Sequence, residues 1–108
     1  MDLFEYRGGQ LHCEQCAVDD LATRFGTPLY VYSAGTLRLH FERLRSAFAE
    51  LNPLICYSVK CCPNLHILRL LQSAGSGFDV VSGGELYRAR RAGAEAARIV
   101  FAGVGKTA

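Results

Sequence analysis

Lys60 is the residue of this sequence best suited to covalent chemistry. The chain has 108 residues, and its only lysines are Lys60 and Lys106. Lys60 follows the apolar run 54–59 and precedes a loop, which is where a barrel of parallel strands carries its reactive groups. An amine packed against apolar walls loses its proton more readily and becomes a nucleophile for an aldehyde. On these residues alone, a lysine that extends from a strand end into solvent is the commoner case.

Two carboxylates follow Lys60 in the chain, and each has a structural and a functional interpretation. Asp79 lies between Phe78 and Val80 in a predicted strand. A buried charge there requires a partner, which can be a structural ion pair or a bound group. Glu85 stands three residues after Ser82, the spacing of a capping box at a helix start. The cap alone explains Glu85, so a second role needs separate support.

The remaining reactive side chains give weaker signals. Cys13 and Cys16 form a C-x-x-C pair, but the five cysteines contain no second pair at that spacing, so we expect reduced thiols and no metal. The histidines lack partners at metal-ligand spacing. Lys106 in GVGKT resembles the end of a phosphate-binding loop, but that motif needs glycine where the sequence has Val100. The role of Lys106 stays open.

The elements that must position these residues follow from hydrophobic spacing. Residues 3–14 predict two strands around Gly8-Gly9, and a helix over 18–25 is predicted to end at Gly26. A strand is predicted over 29–32, and a helix from Ser33 to about residue 50. The apolar face of that helix comprises Leu37, Phe41, Leu44 and Phe48.

From residue 54 onwards strands and helices alternate. Strands are predicted over 54–59, 78–81 and 98–103, and the first should be buried on both faces. Asn64 is predicted to cap the first intervening helix, and a second covers 86–92. This order is typical of a parallel α/β sheet, either a barrel or a doubly wound fold. Because a (β/α)8 barrel needs about 250 residues, we interpret the chain as a fragment.

Composition excludes several classes of protein. Half of the residues are hydrophobic and a fifth are charged, which is typical of a soluble globular protein. The formal net charge of +2 comes without a basic stripe, so nucleic acid is not an expected partner. No secretory signal or membrane span is apparent, and we expect a cytoplasmic protein.

Three segments resemble the ornithine/diaminopimelate/arginine decarboxylases, which depend on pyridoxal 5'-phosphate. YSVKCCPN (57–64) is similar to the family's cofactor-attachment segment, whose lysine corresponds to Lys60. GSGFDVVSGGEL (75–86) and RIVFAGVGKT (98–107) resemble the diaminopimelate branch, and GTPLYVY (26–32) fits the family's opening. Ser58 and Cys62 depart from the pattern, because the family usually has alanine and asparagine there.

The resemblance implies a fold, a cofactor and a reaction. It implies the start of an alanine-racemase-like (β/α)8 TIM barrel over 33–108, with the strands and short helix of 1–32 belonging to a separate β-domain. It implies that Lys60 carries pyridoxal 5'-phosphate, with Asp79 and Glu85 near the cofactor. The implied reaction is decarboxylation of meso-diaminopimelate to L-lysine and CO2 by a homodimer acting on a small-molecule substrate.

Alternatives to this reaction stay open. A sister enzyme acting on ornithine or arginine would share the lysine segment, and an alanine-racemase-type isomerase would share the barrel. A homologue without cofactor, acting as a binding module, belongs to a different functional class. We expect these 108 residues alone to be inactive and to fold poorly, since an open barrel exposes strand edges.

Overall fold

The computed structural model describes residues 2–104 of the chain. Contacts divide the chain into two compact units, one up to Leu39 and one from His40 onwards. The strands are β1 (Phe4–Arg7), β2 (Gln10–Cys13), β3 (Cys16–Ala17), β4 (Cys56–Ser58), β5 (Gly77–Val80) and β6 (Ile99–Phe101). The α-helices are α1 (Val18–Phe25), α2 (Ala34–Ala47), α3 (Leu65–Ser73) and α4 (Gly83–Arg91). The division between the units falls within α2.

The first unit contains a three-stranded antiparallel sheet in the order β1-β2-β3. Gly8 and Gly9 join β1 to β2 with φ angles of 57° and 83°. Both angles lie in the region that glycine adopts without steric cost, as a tight hairpin turn requires. The predicted hairpin is confirmed. The two-residue strand β3 was not predicted, because it is too short to show a period.

Glu14 connects this sheet to the start of α2. It lies in the turn between β2 and β3 with a φ of 55°, a position that usually holds glycine. Its Oε1 accepts hydrogen bonds from the Ser33 hydroxyl and the Gly35 amide, each at 2.8 Å. Chiefly because of the Gly35 amide, and then of Ser33, the pKa of Glu14 is lowered. The Ser33 hydroxyl in turn accepts from the Thr36 amide, so Ser33 caps α2 as predicted.

The predicted strand over 29–32 is wrong. These residues pair with no strand among residues 2–104. Their aromatic and β-branched side chains suit a strand, but a strand also requires a partner for its amides and carbonyls. The assignment of residues 1–32 to a separate β-domain stays a prediction.

The second unit is a parallel α/β arrangement, as the alternating pattern predicts. Its sheet has the order β4-β5-β6, and α3 and α4 provide the two connections. Tyr57 is paired with Phe78, and Phe78 with Ile99. The core lies between this sheet and the helices, and its fully buried members are Val59, Leu68, Phe78, Val80 and Ala89.

The helix boundaries follow local capping. The side chain of Asn64 accepts from the His66 amide at 2.9 Å, which confirms the predicted cap of α3. Gly75 follows the end of α3 with a φ of 94°. The helix α4 begins at Gly83 rather than at 86, because the cap Ser82 directly precedes the first helical residue.

One expectation about burial is wrong. The strand β4 is half-buried, not covered on both faces, because it is an edge strand of the sheet that residues 2–104 form. Leu44 and Phe48 belong to the predicted apolar face of the helix that starts at Ser33, and each is 46% exposed. The spacing of apolar residues defines a face without specifying what covers it. Among residues 2–104, no helix has the length and apolar character needed to cross a lipid bilayer.

Candidate active site

The carboxyl ends of β4 and β5 bring the candidate residues to one edge of the sheet. The strand β4 ends at Ser58 and continues into a single 3-10 turn, Val59–Cys61, which carries Lys60. The neighbouring strand β5 contains Asp79 and leads through Ser82 into α4. Because the strands are parallel, all these segments lie at the same edge, where α/β proteins bind their ligands.

Lys60 is exposed, whereas its neighbour Val59 is fully buried. Burial of Val59 in the core fixes the turn, and the lysine extends from it. The Lys60 amine makes no hydrogen bond or ion pair with the residues at positions 2–104. The apolar walls expected around a nucleophilic lysine are therefore not provided by this part of the chain. The amine is available to an incoming group.

Two side chains hold the backbone that follows Lys60. The Tyr57 hydroxyl donates to the carbonyl of Cys62 at 3.4 Å. Arg88, on α4, donates through Nη1 to the carbonyl of Pro63 at 3.2 Å. Sequence reasoning missed both contacts, since neither spacing nor composition relates residue 88 to residue 63. They restrict the segment between Lys60 and the cap of α3.

The two carboxylate oxygens of Asp79 have different surroundings. Asp79 is the register partner of Ser58, and Ser58 donates from its hydroxyl to Oδ2 at 3.3 Å. Oδ1 is buried and has no hydrogen-bond partner among residues 2–104. A buried polar atom without a partner costs on the order of 1–3 kcal/mol. The carboxylate thus has one oxygen held by the protein and one that can accept from a bound donor.

The thiol of Cys56 lies within the electrostatic influence of Asp79. Burial raises the pKa of the Cys56 thiol, Asp79 raises it further, and Arg98 partly opposes both. The neutral thiol is therefore the favoured form of Cys56 on β4. The only polar side-chain contact of Asp79 within residues 2–104 is with Ser58.

Glu85 has the structural role that its spacing predicts. Its Oε2 accepts from the Val81 amide at 2.9 Å, and its own amide donates to the Ser82 hydroxyl at 3.2 Å. The reciprocal pair is a capping box shifted by one residue, because the side chain reaches Val81 instead of Ser82. One oxygen of Glu85 is thereby occupied by the start of α4.

The structure thus brings Asp79 together with Ser58, two residues before Lys60, and holds Glu85 at the following helix cap. Lys106 lies outside the described residues. Over positions 2–104, no group of three or more histidine, cysteine or acidic side chains is arranged to hold a metal ion. All five cysteines, which lie in this range, are free thiols. Within residues 2–104, the arrangement offers an exposed amine on the turn after β4 and, on the paired strand β5, a carboxylate with one unpartnered oxygen.

Comparison with known proteins identifies several that are similar to this chain in sequence and in structure. Residues 34–108 match the family model described as pyridoxal-dependent decarboxylase, pyridoxal binding domain. A diaminopimelate decarboxylase of Neisseria meningitidis is 56% identical over 97 residues, which are 90% of this chain and 24% of that protein. A crystal structure from Aquifex aeolicus has a TM-score of 0.91 and 52% identity, covering 96% of this chain and 26% of the other.

A third similarity includes a bound amino acid. The structure of diaminopimelate decarboxylase from M. jannaschii in complex with L-lysine has a TM-score of 0.91 and is 37% identical to this chain. It covers 96% of this chain, which corresponds to 25% of that protein. The chain therefore spans about a quarter of the length of the relatives it matches.

Proposed function

The chain belongs to the pyridoxal-dependent decarboxylase family through its pyridoxal binding domain, and from this premise we propose that Lys60 carries pyridoxal 5'-phosphate in a decarboxylase of amino acids. The observation that carries the proposal is the pairing of two strands at the site: Lys60, whose amine has no hydrogen bond or ion pair within residues 2–104, follows β4, and β5 carries Asp79 with its buried, unpartnered Oδ1. The proposed substrate is meso-diaminopimelate and the proposed products are L-lysine and CO2.

The residues at the sheet edge fit this cofactor chemically. The cofactor has an aldehyde, which an unprotonated lysine amine can attack. The resemblance implies that Asp79 lies near the cofactor and Lys60, where the negative charge of its carboxylate would favour protonation of the nitrogen that joins them. The unpartnered Oδ1 of Asp79 leaves that carboxylate able to accept a further hydrogen bond. An amine on the turn after one strand and a carboxylate on the neighbouring parallel strand are groups that such a ligand can use.

When bound, pyridoxal 5'-phosphate supplies an electron-withdrawing system that stabilises the negative charge left as the carboxylate departs as CO2. The chain's own residues provide orientation and proton control. Lys60 would hold the cofactor through its amine and could give or take a proton near the reacting carbon. The negative charge of Asp79 would stabilise a positive charge at the site. The contacts from Tyr57 and Arg88 keep the lysine segment in place.

Glu85 is proposed to act on this site indirectly, through the backbone that it holds. Its Oε2 fixes the Val81 amide, so its first effect is to hold the segment between β5 and α4. That segment directly follows the strand of Asp79. A cofactor contact of Glu85 stays a prediction.

The complete protein is proposed to form an alanine-racemase-like (β/α)8 barrel, to act as a homodimer and to work in the cytoplasm. The three parallel strands with their two connecting helices support the first proposal, because they provide consecutive units of the repeating pattern. The related diaminopimelate decarboxylases support the choice of substrate. Ornithine and arginine are the competing substrates.

The test uses the full-length protein with pyridoxal 5'-phosphate. We expect an absorbance band that sodium borohydride removes, and mass spectrometry should place the reduced adduct on the peptide containing Lys60. Lys60→Arg keeps the charge but cannot form the bond, so the adduct should disappear. Lys106→Arg is the matched control and should retain an adduct on Lys60.

Assays with three amino acids then decide the reaction. Release of CO2 and L-lysine from meso-diaminopimelate, with much slower turnover of ornithine and arginine, would support the proposal. Preference for ornithine or arginine would replace the substrate and keep the cofactor chemistry. Absence of the borohydride-sensitive band would favour a binding module instead of an enzyme.

A further inference from the structure

Cys13 and Cys16 lie opposite each other on β2 and β3. They are register partners in this antiparallel pair, and only Glu14 and Gln15 separate them in the chain. Register partners share one face of an antiparallel sheet, with their Cα atoms about 4.5 or 5.5 Å apart. A disulfide joins residues whose Cα atoms are about 4.4–6.8 Å apart. The backbone therefore places the two thiols where a bond between them needs no rearrangement of the strands.

The two thiols differ in their access to solvent. Cys16 is exposed, whereas Cys13 is buried with 6% of its surface accessible. Burial raises the pKa of the Cys13 thiol, and Glu14 and then Cys16 raise it further, which agrees with a short separation between the two sulfurs. A reagent in solution reaches an exposed thiol before a buried one. Cys16 is therefore suited to react first, and Cys13 to complete a bond with it.

We propose that Cys13 and Cys16 are a reversible thiol–disulfide site that a small-molecule disulfide oxidises. In the first step the Cys16 thiolate attacks the reagent, whose S–S bond breaks to give a mixed disulfide and one small thiol. In the second step Cys13 loses its proton to solvent and attacks the Cys16 sulfur, which releases a second small thiol. Two protein thiols are oxidised and one reagent disulfide is reduced, and excess small thiol reverses both steps.

The bond would close the turn that holds the start of α2. Glu14 lies in this turn with a φ of 55°, and its Oε1 accepts from the Ser33 hydroxyl and the Gly35 amide, each at 2.8 Å. A disulfide between the residues on either side of the turn restricts the backbone conformations of Glu14. The oxidised form should therefore hold the start of α2 more firmly than the reduced form.

The experiment exposes the full-length protein to mixtures of reduced and oxidised glutathione. Trypsin cleaves after Arg7 and Arg24, so residues 8–24 form one peptide whose only cysteines are Cys13 and Cys16. Once unreacted thiols are alkylated, mass spectrometry distinguishes a doubly alkylated peptide, a glutathione adduct and a peptide that has lost two hydrogen atoms. We expect the last form to accumulate as the oxidised fraction rises, and to disappear when reduced glutathione is restored.

Two serine variants test the order of the steps. Cys13→Ser should stop the reaction at a glutathione adduct on Cys16, because the second thiol is missing. Cys16→Ser should leave Cys13 unmodified, because the remaining thiol is buried. Amide exchange at the start of α2 is the second readout. It should become roughly tenfold slower on oxidation of the wild type, since a closed loop limits opening of the turn, and should not change in Cys16→Ser treated in the same way.

The wild-type peptide decides the proposal without any variant. If it shows only free thiols or the glutathione adduct at every ratio of the two glutathione forms, the site is overturned. If the disulfide forms but exchange at the start of α2 does not change, the effect on α2 is overturned and the site stands. No step requires pyridoxal 5'-phosphate, so failure of the proposed function would leave this inference intact.

Discussion

Replacement of Gly77 by alanine should weaken the sheet that carries the candidate site. A Cβ atom at this position would lie 2.7 Å from the Arg98 carbonyl, 2.8 Å from Cys56 Sγ and 3.0 Å from Leu54 Cδ1. Side chains can move by a few tenths of an ångström, but the carbonyl belongs to the backbone just before β6. The strands β5 and β6 must therefore shift relative to each other. The shift would occur at Gly77, only two residues before Asp79.

Two opposing effects determine how much stability Gly77→Ala loses. Alanine is favoured over glycine within a strand by roughly 0.5–1 kcal/mol, because glycine loses more backbone freedom on folding. Overpacking of a filled site costs about 1–3 kcal/mol, and a contact with backbone belongs to the upper part of that range. We expect a net loss of about 1–2 kcal/mol in local stability.

Native-state hydrogen exchange of the full-length protein measures this loss at the amides of β4 and β5, separately from other regions. Gly83→Ala is the matched control, since a Cβ there meets no atom within 4 Å and alanine suits the start of α4. The double variant Cys56→Ala/Gly77→Ala should recover only part of the loss, because the carbonyl contact persists. Unchanged or slower exchange in Gly77→Ala would refute the reasoning.

Three further predictions concern the rest of the chain. The pKa of Glu14 is lowered below its ordinary value of 4.5, so its contribution to folding stability is complete above that value and is lost as the pH falls through the lower folded-state pKa. Amide exchange at the start of α2 should therefore accelerate in that acidic range, and Glu14→Gln should remove this pH dependence. Burial raises the pKa of the Cys13 thiol, so an alkylating reagent at neutral pH should modify the exposed Cys16 first, as peptide mass spectrometry can detect; equal rates would contradict the placement of Cys13. Phe78→Ala should reduce stability by about 3–5 kcal/mol in denaturant unfolding, because Phe78 is fully buried, whereas the control Leu86→Ala, at a position 40% exposed, should have a much smaller effect.

Local signals in the sequence were sufficient for much of the fold. The Gly8-Gly9 turn, the Asn64 cap and the Ser82 cap each depend on residues that are one to three positions apart, so short-range chemistry determines them. The alternation of apolar strands and capped helices likewise indicated the parallel sheet. The position of Lys60 at a strand end was predicted for the same reason.

Long-range pairing was not accessible from these signals. Residues 29–32 have the composition of a strand but pair with no strand in the described part of the chain, and composition contains no information about partners. The contact between Glu14 and the start of α2 joins residues about twenty positions apart, and no sequence period connects them. The exposure of Leu44 and Phe48 has the same origin, since a helical stripe does not specify what covers it.

The sequence by itself determined which residues could do chemistry: a lysine after an apolar strand and an aspartate within the next strand. Residue type and hydrophobic spacing are both properties of the order of amino acids along the chain. Only the tertiary structure decided how they are arranged. Parallel pairing placed Ser58 beside Asp79, satisfied one carboxylate oxygen and left the other buried without a partner. That distinction depends on register between strands, which is a property of hydrogen bonding across the sheet and not of either strand alone.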